Sequence, residues 1–134
     1  MEEAQARETK KTILIVDDDA EILEFTHELL HEGGHYVLLA KSAEDGLRLS
    51  QKHPGDIDLL LTDFQMPGMS GIELAVEITR ERPAIQVLMM SGFPGGMLIL
   101  NEGWHFLAKP FIPSQLRALV TGLLFPSKSR FRAE

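Results

Sequence analysis

Short runs of consecutive apolar residues alternate along the chain with segments whose apolar residues recur every three or four positions. The short runs fit β-strands that are buried on both faces, because such strands lack a polar alternation. They occupy residues 13–16, 36–40, 59–61, 87–90 and 104–108. The periodic segments predict helices over 19–32, between the N-cap Ser42 and the breaker His53, over 71–82 and over 113–124.

The first predicted helix shows how the buried side is assigned. Asp18 or Asp19 is suited to cap its amino terminus, because a short carboxylate can accept from free N–H groups there. Ile22, Phe25 and Leu29 recur at helical spacing, so we expect them to face the core. The pair Gly33–Gly34 is expected to end this helix.

Apolar strands that alternate with helices are typical of a parallel sheet with helices on both faces. The order of elements predicts an α/β fold with a doubly wound five-stranded parallel sheet. The segment 93–103 is a poor helix, since Gly95 and Gly96 each cost about 1 kcal/mol relative to alanine. We therefore expect a short or irregular fourth helix there.

Length and charge narrow the class of protein. A chain of 134 residues suits one domain, which we place at residues 12–125 between a flexible leader at 1–11 and a short basic tail at 126–134. The absence of cysteine excludes a disulfide scaffold and a thiolate metal site. The net charge of −7 argues against nucleic acid or an anionic membrane as the main partner. We find no signal peptide or spanning segment and expect a cytoplasmic location.

Reactive side chains follow four of the five predicted strands. Asp17 and Asp18 follow the first strand, Asp63 the third, Ser91 the fourth and Lys109 the fifth. The carboxyl ends of parallel strands meet at one edge, where doubly wound sheets bind ligands. Two carboxylates about 4 Å apart there repel by about 4 kcal/mol at an effective dielectric near 20.

A divalent cation would remove this repulsion, and an all-oxygen ligand set favours Mg²⁺. Together with a lysine and a hydroxyl, the set predicts phosphoryl transfer with an aspartate as nucleophile. Taken singly, each aspartate could instead be a helix cap, and Lys109 could form a surface ion pair.

Four segments in this order resemble the receiver domain of two-component response regulators. They are ILIVDDD at 13–19, LLLTDFQMPGMSG at 59–71, MSG at 90–92 and LAKPF at 107–111. The resemblance covers roughly residues 11–125 and implies a flavodoxin-like sheet in the order 2-1-3-4-5. It also implies a phosphorelay partner, either a histidine kinase or a phosphotransfer protein, and an unknown downstream protein.

The resemblance implies a role for each residue of the acidic edge. Asp63 would be the phosphoacceptor and would bind Mg²⁺ directly together with Asp18. The main-chain carbonyl of Gln65 would supply a third ligand, and Asp17 would act mostly through water.

Further roles follow for residues near the fourth and fifth strands. Ser91 would hydrogen-bond the phosphoryl group, Lys109 would pair with it, and the Lys109–Pro110 bond would be cis. Ser91 and Phe106 would form the conformational switch, with Phe106 at a position where tyrosine is common in the family. Phenylalanine has no hydroxyl, so any coupling at this position acts by packing alone.

Two alternatives remain open on the sequence. A degenerate receiver would act as an interaction module without phosphorylation, although the intact Asp/Ser/Lys set argues against it. The segment His27–Glu28–Leu29–Leu30–His31 matches the HExxH pattern of zinc proteases. Its histidines fall on the predicted polar face, and the sequence offers no third ligand at a fitting distance, so a solvated helix face is the simpler interpretation.

Overall fold

The structure is a computed structural model, and it describes residues 10–92 and 104–126. Its strands are β1 (Thr12–Val16), β2 (Tyr36–Ala40), β3 (Leu59–Asp63), β4 (Gln86–Ser91) and β5 (Trp104–Ala108). Its helices, numbered in chain order, are α1 (Ala20–Glu32), α2 (Ala43–Lys52), α3 (Gly71–Glu81) and α4 (Pro113–Leu124). The short or irregular helix predicted over 93–103 lies outside the described residues.

The five strands form one parallel sheet in the order β2-β1-β3-β4-β5. The predicted fold class and strand order are therefore confirmed. Two strands run further than the apolar pattern predicts, so that Asp63 is the last residue of β3 and Ser91 is the last of β4. Both residues continue the ladder, Asp63 opposite Met90 and Ser91 opposite Ala108, because backbone pairing tolerates polar side chains at strand ends.

Alternate residues of each strand enter two separate cores, one on each side of the sheet. On one side Leu14 and Leu60 pack in a cluster with residues of α2 and α3. On the other side Ile13 and Leu61 pack in a cluster with residues of α1 and α4. The strands are covered on both faces, which explains why their sequences are apolar throughout.

The buried face of α1 differs from the sequence prediction. Leu29 is buried as expected, but Phe25 is 41% exposed, and the core side is formed by Leu23, Thr26 and Leu30. The pattern of apolar residues misses Thr26 because this residue is polar yet fully buried. Its hydroxyl donates to the main-chain carbonyls of Ile22 and Leu23 at 2.8 and 3.1 Å, which satisfies it inside the core.

Local capping explains where the helices begin. Asp19 is the N-cap of α1 and accepts from the N–H of Glu21 at 2.9 Å, as one of the two predicted alternatives requires. Ser42 caps α2 as predicted. Ser70 and Glu73 form a reciprocal capping box on α3, which fixes the helix directly after the loop that follows Asp63.

One side chain ties α3 to α2 at the end of the domain opposite the carboxyl edge of the sheet. Arg82 follows α3 and donates to the hydroxyl and the carbonyl of Ser50, and also to the carbonyls of His53 and Gly55, at 2.8–3.0 Å. These carbonyls lie in the last turn of α2 and just beyond it, where a helix leaves acceptors unpaired.

In the part of the chain that the structure describes, no helix has both the length and the apolar content to traverse a bilayer.

Candidate functional site at the carboxyl edge of the sheet

The parallel register brings the predicted site residues to one edge. Asp17 follows β1 directly, Asp63 ends β3 and Ser91 ends β4, while Lys109 follows β5 after Ala108. Adjacent strands are in register up to this edge, with Asp63 opposite Met90 and Ser91 opposite Ala108. The sheet therefore presents three kinds of polar group, carboxylate, hydroxyl and ammonium, within one small region.

Asp17 is a fully buried carboxylate with two different partners. One carboxylate oxygen accepts from the main-chain N–H of Asp19 at 2.9 Å, and the other lies 3.5 Å from Nζ of Lys109. Burial raises the pKa of Asp17 above its ordinary value, although both partners favour the charged form. The carboxylate is thus held rigidly and at an electrostatic cost.

Asp63 is also largely shielded, with 14% of its side chain exposed. Its Oδ1 lies 3.2 Å from Nζ of Lys109. Burial raises the pKa of Asp63 more than the ammonium of Lys109 lowers it, and the nearby carboxylate of Asp18 raises it further. Lys109 therefore lies between two carboxylates, and its positive charge stabilises the ionised form of both.

Asp18 completes the acidic edge from the solvent side. It is exposed, and one carboxylate oxygen each from Asp17, Asp18 and Asp63 lies within 4.8 Å of the other two. Three convergent carboxylate oxygens match the donor chemistry of Mg²⁺, which binds through oxygen and keeps several waters. The exposure of Asp18 leaves room for such waters, so the residues present fit this ion. Asp19 serves as a helix cap instead.

The backbone near Ser91 connects β4, β5 and the loop after β3. The N–H of Lys109 donates to the carbonyl of Ser91 at 2.7 Å, and the N–H of Phe64 donates to the carbonyl of Met90 at 2.8 Å. The Lys109–Pro110 bond is cis, as the resemblance implies. Ser91 is 4% exposed, so the residue is buried at this edge.

The two remaining predicted residues flank this edge. Phe106 of β5 is partly buried, and its ring centroid lies 6.3 Å from that of Phe64, the residue directly after Asp63. Phe64 thus connects the loop after Asp63 to β5 through an aromatic contact. Gln65 is exposed two residues after Asp63. Its carbonyl as a metal ligand stays a prediction.

Two positioning residues of the loop after β3 are absent from the sequence prediction. Gly71 begins α3 so close to β3 that an added Cβ would lie 2.1 Å from the carbonyl oxygen of Asp63. Glu44 of α2 accepts from the N–H of Met69 at 3.1 Å and holds the same loop from the other side. The serine and glycine at 70–71 are a detectable helix-start signal, whereas Glu44 carries no local signal because its partner lies 25 residues away.

The HExxH segment lies on α1, away from the acidic edge. His31 is exposed, His27 is partly buried, and Glu28 is exposed. Among the described residues, the cluster of three or more possible metal ligands is the one formed by Asp17, Asp18 and Asp63. The three protein ligands of a catalytic zinc are therefore not assembled around His27 and His31 in this part of the chain.

A 2-1-3-4-5 parallel sheet with three carboxylates, a serine and a lysine at its carboxyl edge defines the class as a receiver-type signalling domain. The chain belongs to the response regulator receiver domain family, which it matches over residues 13–121. It is therefore a receiver domain of two-component signalling. Such domains interact with histidine kinases or phosphotransfer proteins and bind Mg²⁺ at an acidic pocket.

Individual relatives agree with this assignment. The chain is 34% identical over 116 residues to the uncharacterized transcriptional regulatory protein YrkP of Bacillus subtilis, covering 84% of this chain and 48% of YrkP. It is similar to the receiver domain from the hybrid histidine kinase CckA (30% identity, TM-score 0.75, 84% and 98% of the two chains). It is also similar to the response regulator TrrA of Thermotoga maritima in complex with Mg²⁺-BeF (30% identity, TM-score 0.74, 85% and 99%). The chain spans about half the length, or less, of the curated relatives it matches.

Proposed function

We propose that Asp63 accepts a phosphoryl group from a phosphohistidine of a histidine kinase or phosphotransfer protein. A carboxylate oxygen of Asp63 forms the new bond to phosphorus, and the phosphorus–nitrogen bond breaks with its electron pair returning to the imidazole. The observation that carries the proposal is the placement of Lys109, whose ammonium lies within 3.2 Å of Asp63 and 3.5 Å of Asp17 in a cluster of three carboxylates.

The residues of the chain then have distinct tasks. Lys109 contributes positive charge where negative charge accumulates on the transferred group. Asp17, Asp18 and Asp63 would hold Mg²⁺, with Gln65 adding its carbonyl. The bound ion would supply charge neutralisation and orient the phosphoryl oxygens.

Two features support a switch that follows phosphorylation. The hydroxyl of Ser91 lies at the end of β4 in the same edge, and it is suited to donate to a phosphoryl oxygen on Asp63. Phe64 follows Asp63 directly and packs near Phe106, so movement at the site can alter the surface around β5. We propose that this surface, once altered, binds the downstream protein.

Labelling with acetyl phosphate tests the proposal without the cognate kinase. The native chain should take up one phosphoryl group in the presence of Mg²⁺, detected by intact mass, and should take up none after chelation. Asp63→Asn should abolish the uptake. Asp19→Asn is the matched control, because it removes a neighbouring carboxylate but keeps an asparagine cap of equal quality on α1.

A degenerate receiver is the competing interpretation. It would give no labelling that depends on Asp63, and its partner would bind equally to the native chain and to Asp63→Asn. Equal labelling of Asp63→Asn and the native chain would place the phosphoryl group elsewhere and overturn the assignment of Asp63.

A further inference from the structure

The polar side of α1 carries a pair of histidines that the proposed phosphorylation does not use. His27 and His31 are four residues apart, so they are neighbours on one face of the helix. Their ring centroids are 5.7 Å apart, and the rings are tilted by 51°. The two rings thus lie beside each other without stacking.

This separation fits one metal ion held by both rings. A Zn–N bond of about 2.0–2.1 Å and a ring radius of about 1.1 Å place a metal about 3.2 Å from each centroid. At a tetrahedral angle on the ion the two centroids would lie about 5.2 Å apart, so the observed distance must shorten by about 0.5 Å. Side-chain rotations that bring the rings together by this amount would let one nitrogen of each ring reach a shared ion.

The charge around the pair also favours a cation. α1 carries exposed glutamates at positions 21, 24, 28 and 32. At about 100° per residue, Glu24 falls within roughly 60° of both histidines around the helix, and Glu28 within roughly 60° of His31. These carboxylates create a negative local potential that raises the concentration of cations near the rings.

The donor atoms select a different cation from the one suited to the acidic edge. Imidazole nitrogen suits Zn²⁺, Ni²⁺ and Cu²⁺, whereas Mg²⁺ prefers oxygen ligands. We propose that His27 and His31 form a second metal site, specific for borderline divalent cations of the Zn²⁺, Ni²⁺ and Cu²⁺ class. With two protein ligands and the remaining positions taken by water, the site binds metal and does not hydrolyse peptides.

Isothermal titration calorimetry of the full chain with Ni²⁺, carried out in excess Mg²⁺, tests the site. The excess of Mg²⁺ competes with Ni²⁺ at the acidic edge, and the histidine variants identify the part of the Ni²⁺ signal that comes from the imidazoles. Each of His27→Gln and His31→Gln should weaken Ni²⁺ binding by about tenfold or more, because the second ligand no longer binds intramolecularly. His105→Gln is the matched control, because His105 lies on β5 away from α1, and it should bind like the native chain. Circular dichroism verifies that the variants fold.

Site-resolved nuclear magnetic resonance adds an independent measurement. Substoichiometric Cu²⁺ should broaden the amide signals of residues 24–34 before any others. Broadening confined to Asp17, Asp18 and Asp63, or equal Ni²⁺ affinity in the native chain and both histidine variants, would overturn the proposal. Asp63→Asn should lose acetyl-phosphate labelling yet keep the Ni²⁺ site, so the two proposals can fail separately.

Discussion

Replacing Gly71 by alanine tests how closely the start of α3 packs against the strand that carries Asp63. The added Cβ would lie 2.1 Å from the carbonyl oxygen of Asp63 and 3.1 Å from that of Phe64. Real contacts of this kind are at least about 3.0 Å, so α3 and β3 must separate by about 0.9 Å. The neighbours are main-chain atoms and cannot rotate away as a flexible side chain could.

Overpacking of this kind typically lowers the free energy of unfolding by about 1–3 kcal/mol. Because the neighbours of Gly71 are rigid, we expect Gly71→Ala to lower it by about 3 kcal/mol. At a urea dependence of about 2 kcal/mol per molar, the unfolding midpoint should fall by about 1.5 M. The hydrogen bond from the N–H of Gly71 to the carbonyl of Phe64, now 3.0 Å, should lengthen as well.

Gly122→Ala is the matched control for this experiment. Gly122 lies within α4, and an added Cβ there would meet no heavy atom within 4 Å. The change should therefore stabilise the protein by about 0.5–1 kcal/mol, the ordinary gain of alanine over glycine in a helix. The two substitutions are chemically identical, so their opposite signs report packing alone.

A second measurement links this contact to the site. A shift of the Asp63 backbone alters the 3.2 Å distance between its Oδ1 and Nζ of Lys109. Gly71→Ala should therefore accept the phosphoryl group of acetyl phosphate more slowly than Gly122→Ala. A Gly71→Ala variant as stable as the native chain would refute the close approach of α3 to β3.

Three further predictions concern stability. Arg82→Ala should lower the free energy of unfolding by about 2–3 kcal/mol in urea titrations, because it leaves carbonyl groups at the end of α2 unpaired; a loss below about 0.5 kcal/mol would contradict this. Burial lowers the pKa of His35, so the neutral imidazole stabilises the fold above pH 6.5, and this stability is lost as the pH falls through the folded-state pKa. His35→Gln should flatten the dependence of the unfolding free energy on pH in that window, and an unchanged dependence would contradict the assignment. Asp63→Asn should stabilise the metal-free chain at pH 7, because burial raises the pKa of Asp63 and its charged form opposes folding. Mg²⁺ at 100 times its Kd should stabilise the native chain by about 2.7 kcal/mol but not this variant, and equal Mg²⁺ responses would exclude Asp63 as a ligand.

The sheet and its acidic edge were predictable because they depend on short-range signals. Strands buried on both faces are read as consecutive apolar residues, and parallel topology then brings Asp17, Asp63, Ser91 and Lys109 to the same edge. No single contact among these residues had to be known, since the strand order alone places them together.

The contacts that differ from the prediction depend on atoms distant in sequence or on satisfied polar groups. Thr26 is buried because its hydroxyl bonds within its own helix, so the apolar pattern placed Phe25 on the buried face of α1 and left out Thr26. Arg82 bonds to groups 27–32 residues away, most of them main-chain carbonyls that any residue type possesses. Sequence patterns contain no record of such acceptors.

The charge balance of the edge explains why the proposed phosphorylation can act as a switch. The ammonium of Lys109 contacts Asp17 and Asp63, Asp18 adds a third carboxylate to their cluster, and burial already raises the pKa of Asp17 and Asp63. A bound Mg²⁺ would neutralise the remaining excess, and a phosphoryl group would then add negative charge and three acceptor oxygens at Asp63, whose side chain is 14% exposed. We expect hydrogen-bond donors to move toward the added charge, and Ser91 is the hydroxyl that β4 brings to this edge. Rearrangement at Ser91 is therefore expected from electrostatics, because the metal-bound state has no surplus positive charge to receive the phosphoryl group.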